Sequence, residues 1–413
     1  MPELFNVVTP EVALYKLRSN ITHRVPKENV KTNLAVGRIT AEIIYSPEPL
    51  PTFPRSTMDG YAVIASDTYG ATESIPAYMN VIGEIPMGMP SQLTLSNGNI
   101  AKVHTGSMLA NGANAVVMVE NTQVVDERTV EVVRPVAPGE NILQVGDDIE
   151  KGQIVLPEGH ILRAQDIGGL MGLGITQLYV YSRPRVVIIS TGDELVTPDQ
   201  QVSPGQIRDI NTYSLTALTL QTGAIPLSIP IIGDDYQELV EQTQKAISEA
   251  DMVVISAGSS VSTRDLTSRV IESLGKPGIF VHGISIKPGK PTILASINGK
   301  PVIGLPGNPV SALVIFDIFC IPSIYSMAGC DNPPDKPSVY ARLTHNLASI
   351  PGREDYVPVS LAMSDNELIA NPVFGESNLI TTVMKANGLV KIPLDKSGIY
   401  EGEIINVNIF RGS

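Results

Sequence analysis

Small, hydroxylated and acidic residues follow three apolar stretches of the chain, at the point where each stretch ends. The stretches begin near Val186, Met252 and Pro301, and their short β-branched runs predict buried parallel strands. Open α/β sheets bind ligands beyond the carboxyl ends of their strands, so these loops predict a shared binding site. Backbone N–H groups, hydroxyls and a helix start there suit an anion such as phosphate. The predicted ligand-binding residues are Thr191, Gly192, Asp193, Asn211, Ser256, Gly258, Ser259, Pro306, Gly307 and Asn308.

Two groups of charged residues surround these loops. Lys287 and Lys290 stand three apart in a Pro/Gly turn and, with Arg208 and Arg264, predict a local basic patch. Interleaved acids suit Mg²⁺ that bridges to a phosphate ligand. The predicted metal ligands are Glu194, Asp234, Asp235 and Asp265.

A plainer interpretation of the acids stays open. Asp193 can cap a helix while Glu194 is solvated, and the other charges can be surface ion pairs or caps. The sequence contains neither a GxGxxG motif nor a P-loop, which disfavours a dinucleotide reductase or an ordinary NTPase.

The composition bounds the class of protein. The chain has 413 residues, 43% of them hydrophobic and 17% charged, which predicts several globular domains. A net charge of −13 argues against a nucleic-acid or membrane-surface binder. We expect no membrane-spanning run, no secretory signal and no Cys/His metal site, and a buried free thiol at Cys320 and no disulfide with Cys330, as in a cytoplasmic protein.

The pattern changes along the chain predict a fold of class α/β plus β. Residues 181–330 alternate strands and helices, as a doubly wound, mainly parallel α/β domain does. Helix caps are predicted at Thr9, Asn211, Asp235 and Asn308, and a hairpin turn at Asn298. Short β-branched runs predict a β-rich domain at 46–137 and a C-terminal β domain at 331–413. Residues 1–45 and 138–180 flank the first of these and predict one discontinuous mixed domain.

Two acids outside the α/β domain stand in loops. Asp59 precedes Gly60 after a proline-rich loop, which indicates a turn. Asp148 follows Asp147 in a glycine-rich segment, where a solvated turn is favoured over a cation site.

Motifs over nearly the whole chain resemble those of the molybdopterin molybdenumtransferases, which are similar to the gephyrin E domain. In chain order they are STMDGYAV, TGSMLANGANAVVMVE, PGEN with GDDIEKG, STGDELV, KPGKP and GLPGNPVSA. The resemblance implies an elongated four-domain subunit, a homodimer with a site between subunits, and contact with the molybdopterin adenylyltransferase. It implies that adenylylated molybdopterin and molybdate react with Mg²⁺: the pyrophosphate bond is cleaved, AMP leaves and the metal is placed on the dithiolene.

The same resemblance carries roles onto individual residues. It implies that the functional side chains are Asp59, Asp148, Glu194, Asp265, Lys287 and Lys290, with Asp59 supplied by the other subunit. It implies a molybdate pocket of Lys290, Ser311, Arg353 and Ser377, which fits the needs of an oxyanion for cations and hydroxyl donors. The family's SGGVSVG loop appears here as SAGSSVST, from Ser256 to Thr263, and this departure bears on the choice between molybdate and tungstate.

Two other functions remain open at this point. One is adenylyl transfer to molybdopterin, because that enzyme shares the α/β domain, although the additional β domains argue against it. The other is a non-catalytic scaffold, since the gephyrin E domain also binds receptor loops.

Overall fold

The chain forms two compact units that alternate along the sequence. The computed structural model describes residues 7–258 and 261–410, with the side chains of all of these except 261–265. One unit contains Met1–Glu42, Glu158–Ile167 and Gln177–Ser413, and the other contains Ile43–Pro157 and Gly168–Thr176. The four-domain division given above stays a prediction.

The unit that begins at Ile43 is built on a six-stranded mixed sheet. Alternate residues of its strands pack into separate apolar cores on the two faces, with Tyr61 and Val63 on one face and Ala62 on the other. This period of two is what a sheet covered on both sides requires. In spatial order the strands are Ala115–Met118, Gly60–Val63, Asn99–Val103, Ala77–Ile85, Thr129–Val132 and Thr122–Val124. Shorter strands lie at Ile44–Tyr45, Arg55–Ser56, Ile142–Leu143 and Ile154–Leu156.

The larger unit contains the predicted α/β domain, with a six-stranded sheet covered on both faces. Val186 and Ile188 point into one core with Leu215, while Val187 and Ile189 point into another with Leu239. Each buried aliphatic side chain contributes roughly 1.5–3 kcal/mol, so the central strand is anchored from both sides. In spatial order the strands are Ile225–Ser228, Arg185–Thr191, Met252–Ala257, Lys300–Pro306, Ile293–Ile297 and Pro277–His282.

The first four of these strands run parallel, and Ile293–Ile297 is antiparallel to both of its neighbours, Lys300–Pro306 and Pro277–His282. The pairing with Lys300–Pro306 is the predicted hairpin, since Asn298 and Gly299 both have positive φ angles, of 53° and 80°. The edge strand Pro277–His282 was not predicted. The doubly wound, mainly parallel domain is confirmed. Its helices are Asn211–Gln221, Tyr236–Glu249, Val261–Ser273, Pro309–Ile315 and Ile321–Met327.

The N-terminal segment of this unit adds a helix and a strand pair. Helix Pro10–Asn20 begins as predicted, because the Thr9 side chain accepts a hydrogen bond from the N–H of Val12. Strand Lys27–Lys31 pairs with Gln177–Tyr181. Between these two strands in the sequence, helix Ala164–Gly172 contains a boundary between the two compact units, after Ile167.

The last two helices of the sheet domain form one longer apolar helix than the sequence predicted. Residues Pro309–Met327 are continuous through a π-helical turn at Phe316–Cys320. Pro322 has no N–H for the carbonyl of Ile318, and the N–H of Ile321 reaches back to the carbonyl of Phe316 instead. By length and composition alone this 19-residue helix could cross a membrane. It is a core helix here, since 72% of the apolar window is buried.

The C-terminal residues form a closed five-stranded barrel with one appended strand. Glu354–Ser364 pairs with both Glu367–Pro372 and Gly388–Ile392, which closes the ring. The appended strand is Ile286–Lys287, contributed by the Pro/Gly turn of the α/β domain. The other barrel strands are Ser338–Leu343 and Ile404–Ile409, with an outlying pair at Leu347–Ala348 and Gly398–Ile399 and a short helix at Ile380–Met384.

Candidate functional site

The ends of the three predicted strands lie side by side at one edge of the sheet. Thr191 pairs with Ala257, and Ala257 pairs with Pro306, so the loops that follow begin at the same level. The approach of two of these loops is so close that a β-carbon on Gly307 would lie 2.6 Å from the carbonyl oxygen of Ala257. Ser259 lies outside the described residues.

Asn211 does not cap its helix, contrary to the prediction. The helix N-terminus is capped by Asp209, whose Oδ1 accepts the N–H of Thr212 at 3.1 Å. The Asn211 side chain is buried and donates from Nδ2 to Ser256 Oγ at 2.7 Å and to the Gly307 carbonyl at 2.8 Å. It therefore joins two strand-end loops. Its Oδ1 is buried and has no hydrogen-bond partner among the described residues.

Three carboxylates gather beyond the central strand. Asp193 Oδ1 accepts the backbone N–H of Asp234 at 3.0 Å, and Thr191 Oγ1 donates to Asp234 Oδ1 at 3.3 Å. Burial raises the pKa of Asp234, and the negative charges of Asp193 and Glu194 raise it further. The Glu194 carboxylate folds back over Gly192, where a β-carbon would lie 2.6 Å from Oε2. A side chain at position 192 would displace Glu194.

The other two predicted metal ligands are placed differently. Asp235 is the N-cap of helix Tyr236–Glu249 and accepts the N–H of Glu238 at 2.8 Å. The side chain of Asp265 lies outside the described residues, although its backbone belongs to helix Val261–Ser273. Among the side chains that the structure describes, no three His, Cys, Asp or Glu residues form a preformed metal cage.

The residues present still fit Mg²⁺ of the substrate-bridging kind. Mg²⁺ is usually held by one or two carboxylates together with water and substrate phosphates, not by an all-protein cage. The pKa of Asp234 is raised first by burial and further by the negative charges of Asp193 and Glu194. A divalent cation beside Glu194 and Asp234 would relieve that repulsion.

The residues predicted for the molybdate pocket line one large cleft. Its volume is about 950 Å³, and it lies between the strand-end loops, the Pro/Gly turn and the C-terminal barrel. All the residues predicted for the molybdate pocket line it, together with three residues of the strand-end set. The lining residues that were predicted are Gly258, Lys287, Lys290, Pro306, Asn308, Ser311, Arg353 and Ser377.

Two local features place the lysine turn in this cleft. Lys287 is paired with Asp355 in the appended strand, so the first lysine is held against the barrel. Gly289 has a φ angle of 117°, and a β-carbon there would lie 2.4 Å from Cδ1 of Ile315. The turn therefore packs against helix Pro309–Ile315 at a distance that only glycine permits.

An ion pair and a loop contact fix other parts of the cleft wall. Arg353 donates from Nε and Nη2 to the two oxygens of Asp355, at 2.7 and 3.1 Å. Asn308 does not use its side chain as a helix cap but donates from Nδ2 to Ser377 Oγ at 2.8 Å. The N–H of Val310 also donates to the Ser377 carbonyl, at 3.1 Å. The start of the helix is thus tied to the loop that carries Ser377.

The site residues that the sequence predicted therefore lie in two separate places. Lys287, Lys290 and Arg353 share the cleft, whereas Glu194 and Asp234 lie beyond the central strand and do not line it. Arg208 belongs to neither place, because it donates to the carbonyls of Pro198 and Gln200 within its own loop.

Sequence reasoning missed Asp355. It lines the cleft and is 3% exposed. A signal was present in PGRED, where Arg353 stands two residues before Asp355, a spacing at which extended side chains lie on one face and can form an ion pair.

The predicted acids Asp59 and Asp148 belong to the other compact unit. Asp59 Oδ1 accepts the N–H of Thr105 at 2.7 Å and its hydroxyl at 3.1 Å, and the first of these bonds lowers the pKa of Asp59. A β-carbon on Gly60 would lie 1.9 Å from the Val117 carbonyl oxygen, so this turn requires glycine. Asp148 is exposed, and its backbone N–H donates to the carbonyl of Leu50.

Comparison with known families covers most of the chain. Residues 8–174 match the model described as "MoeA N-terminal region (domain I and II)", residues 187–326 match "Probable molybdopterin binding domain", and residues 340–410 match "MoeA C-terminal region (domain IV)". The second of these matches contains the three strand-end loops, and the third contains Arg353 and Ser377.

Individual relatives match over almost their whole length. The molybdopterin molybdenumtransferase of Nostoc sp. is 34% identical over 418 residues, which is 98% of this chain and 95% of that protein. Two crystal structures of molybdopterin biosynthesis moeA proteins from Pyrococcus horikoshii are 36% and 31% identical, with TM-scores of 0.81 and 0.85. They cover 99% and 98% of this chain and 100% of their own chains. The sheet, the cleft and these matches agree, and the chain belongs to the molybdopterin molybdenumtransferases, the transferases of molybdenum-cofactor biosynthesis.

Proposed function

We propose that the protein inserts molybdate, or tungstate, into adenylylated molybdopterin with Mg²⁺-dependent release of AMP. The observation that carries this proposal is the cleft in which Lys287, Lys290 and Arg353 converge with the hydroxyls of Ser311 and Ser377. A tetrahedral oxyanion is bound by ammonium groups, a guanidinium fork and hydroxyl donors, and this cleft offers all three. The Nostoc relative, a molybdopterin molybdenumtransferase by name, supports the same activity.

The second part of the site serves the nucleotide end of the substrate. Glu194 and Asp234 would hold Mg²⁺, which would supply charge neutralisation for the phosphate oxygens when bound. Asn211 joins two of the strand-end loops, and backbone N–H groups of these loops would bind phosphate oxygens at the same sheet edge. Lys287 and Lys290 attract the anionic substrates through their charge. Arg353 is also charged, and its planar guanidinium fixes the orientation of a bound oxyanion.

We further propose that the enzyme is a cytoplasmic homodimer in which Asp59 of one subunit completes the site of the other. The contact with a molybdopterin adenylyltransferase is part of the same proposal. The hydrogen bonds from Thr105 support a functional role for Asp59, since they hold one carboxylate oxygen in place and favour its charged form. The measured molar mass in solution tests the dimer, and mixed dimers of Asp59→Asn with Glu194→Gln subunits test the shared site. Activity regained on mixing supports sharing, and its absence contradicts it.

The test of the reaction is AMP release from adenylylated molybdopterin by the purified protein. We expect release only when Mg²⁺ and molybdate or tungstate are both present, and we expect a chelator to stop it. Intact substrate with all components present contradicts the proposal. Formation of adenylylated molybdopterin from ATP and molybdopterin would instead identify the adenylyltransferase. Inactivity in both assays, together with binding of a partner peptide, would identify a scaffold.

A further inference from the structure

Asp355 is buried in the cleft wall and is paired with one cation. Its side chain is 4% exposed, while that of Arg353 is 31% exposed. The strand that carries Asp355 is hydrogen-bonded on both sides, since Asp355 is paired with Lys287 on one side and with Ile392 on the other. A carboxylate in such a place is costly to bury unless it is fully paired, and Arg353 provides that pairing.

The geometry of the pair decides which part of Arg353 remains available. A guanidinium has five N–H donors in a rigid planar fork. The Nε–H and one N–H of Nη2 are directed to Asp355. The edge formed by Nη1 and the second N–H of Nη2 is left, and this edge can donate two parallel hydrogen bonds to an oxyanion. Asp355 thus fixes both the position and the orientation of the remaining fork.

We propose that Asp355 is a positioning residue for oxyanion binding that acts through Arg353. This inference rests on the proposed function, because it assumes that molybdate binds in this cleft. The attraction comes from Lys287 and Lys290, since the formal charges of Arg353 and Asp355 cancel. Arg353 fixes the orientation of the bound anion. Fixing the rotamers of an arginine side chain costs about 2 kcal/mol, and here they are fixed when the protein folds and not when the anion binds.

A substitution at Asp355 separates this role from simple electrostatics by the sign of its effect. Asp355→Asn removes a negative charge from an anion-binding cleft. If Asp355 acted only through its charge, molybdate would bind more tightly to the variant. If it positions Arg353, molybdate binds more weakly in spite of the gain in positive charge. We expect Kd for molybdate to rise about ten-fold, the size of a lost charge-assisted hydrogen bond.

Glu354 supplies the matched control. It precedes Asp355 on the same strand, is also buried, and is paired with Lys391 at 2.7 Å and with the Tyr356 hydroxyl at 2.8 Å. It does not line the cleft. Glu354→Gln makes the same change of charge, and we expect Kd for molybdate to stay within two-fold of the wild type, an estimate for a position without anion contact.

The experiment measures molybdate binding by calorimetry for the full-length wild type, Asp355→Asn, Arg353→Gln and the double variant. The double variant has no unpaired charge at this place, so it stays informative where Asp355→Asn fails to fold. If Asp355 acts through Arg353, the double variant binds molybdate no more weakly than Arg353→Gln alone. Equal or tighter binding by folded Asp355→Asn, or a further loss of affinity in the double variant relative to Arg353→Gln, overturns the inference.

The KM for molybdate in the AMP-release assay provides a second readout. A positioning role raises KM for molybdate in Asp355→Asn, whereas KM for adenylylated molybdopterin stays unchanged. A wild-type protein that binds molybdate but releases no AMP would contradict the proposed function and leave the inference to be decided by the binding data. A wild-type protein that binds no molybdate would contradict both.

Discussion

The carboxylate of Asp193 accepts the backbone N–H of Asp234 at 3.0 Å, and this bond joins the loop after the central strand to the loop before helix Tyr236–Glu249. The carboxylates of Asp234 and Glu194 then lie close enough for the charge of Glu194 to raise the pKa of Asp234. Asp193 is committed to that contact through Oδ1, while no backbone N–H of the described residues caps the Glu194 carboxylate. The two adjacent acids of the sequence therefore have different surroundings, which supports a functional role for Glu194.

Glu194→Gln tests that role. The change removes a charge and little volume, so we expect the melting temperature to be retained and AMP release to fall about a hundred-fold, as when a ligand of a catalytic metal is lost. The control is Asp199→Asn, an exposed acid of the same loop whose side chain accepts the Thr197 hydroxyl. Full activity in Glu194→Gln would remove this residue from the site.

Gly289→Ala tests the packing of the lysine turn. The new β-carbon would overlap Cδ1 of Ile315, and the positive φ angle adds backbone strain. The matched control is Gly352→Ala, which lies in the same cleft at φ 92° with open space around the new carbon. Overpacking costs roughly 1–3 kcal/mol, so we expect Gly289→Ala to lower the free energy of unfolding by that much more than Gly352→Ala does. Urea unfolding measures both, and equal losses would show that the turn does not pack on the helix.

Asn211→Ala tests the link between the strand-end loops. It removes the donor to Ser256 and leaves the partly buried Gly307 carbonyl without that partner. We expect a loss of about 1–3 kcal/mol in the free energy of unfolding. Asn80→Ala removes one exposed amide contact, with Asn99, and should cost less than about 0.5 kcal/mol. Similar losses in both variants would mean that Asn211 does not hold the loops together.

The buried Asp166 predicts a stability that depends on pH. Hydrogen bonds from Arg163, followed by that from His160, hold the pKa of Asp166 well below its usual value. Because the folded pKa is the lower one, the stabilisation is complete above the unfolded value of about 3.9 and is lost as pH falls below it. Asp166→Asn should therefore be less stable at pH 7 and lose less stability between pH 5 and pH 3. Unfolding midpoints of the variant, the wild type and exposed Asp395→Asn decide this, and a wild-type slope in Asp166→Asn would contradict it.

Much of the fold could be predicted because its signals are local. The β-branched run at Val186 to Ile189, the proline and Thr9 at the first helix, and the Asn298-Gly299 turn each act through neighbours in sequence. Asn211 shows where this reasoning fails. Its residue type favours a helix cap, but the contacts that decide its place are with Ser256 and Gly307, which lie far along the chain.

The grouping of Lys290, Ser311, Arg353 and Ser377 in one pocket was implied by the family resemblance, and the residue patterns alone did not predict it. KPGKP and PGRED each indicate an anion site, yet only the pairing of Lys287 with Asp355 places them in one cleft. A two-residue strand has no periodicity from which such a pairing can be predicted. The edge strand Pro277–His282 was missed for a related reason, since its proline and glycine weaken the strand pattern.

The appended strand Ile286–Lys287 makes the C-terminal barrel dependent on the sheet domain, because it pairs with a barrel strand. The connection between the sheet domain and the barrel includes 331–337, a stretch with two adjacent prolines. A protease that cuts there would leave two fragments still joined by the hydrogen bond from the Glu354 N–H to the Ser285 carbonyl and by the cleft contacts of Ser377. The cleft is thus a property of two complementary fragments and of neither alone, because one carries the lysines and the other carries the arginine.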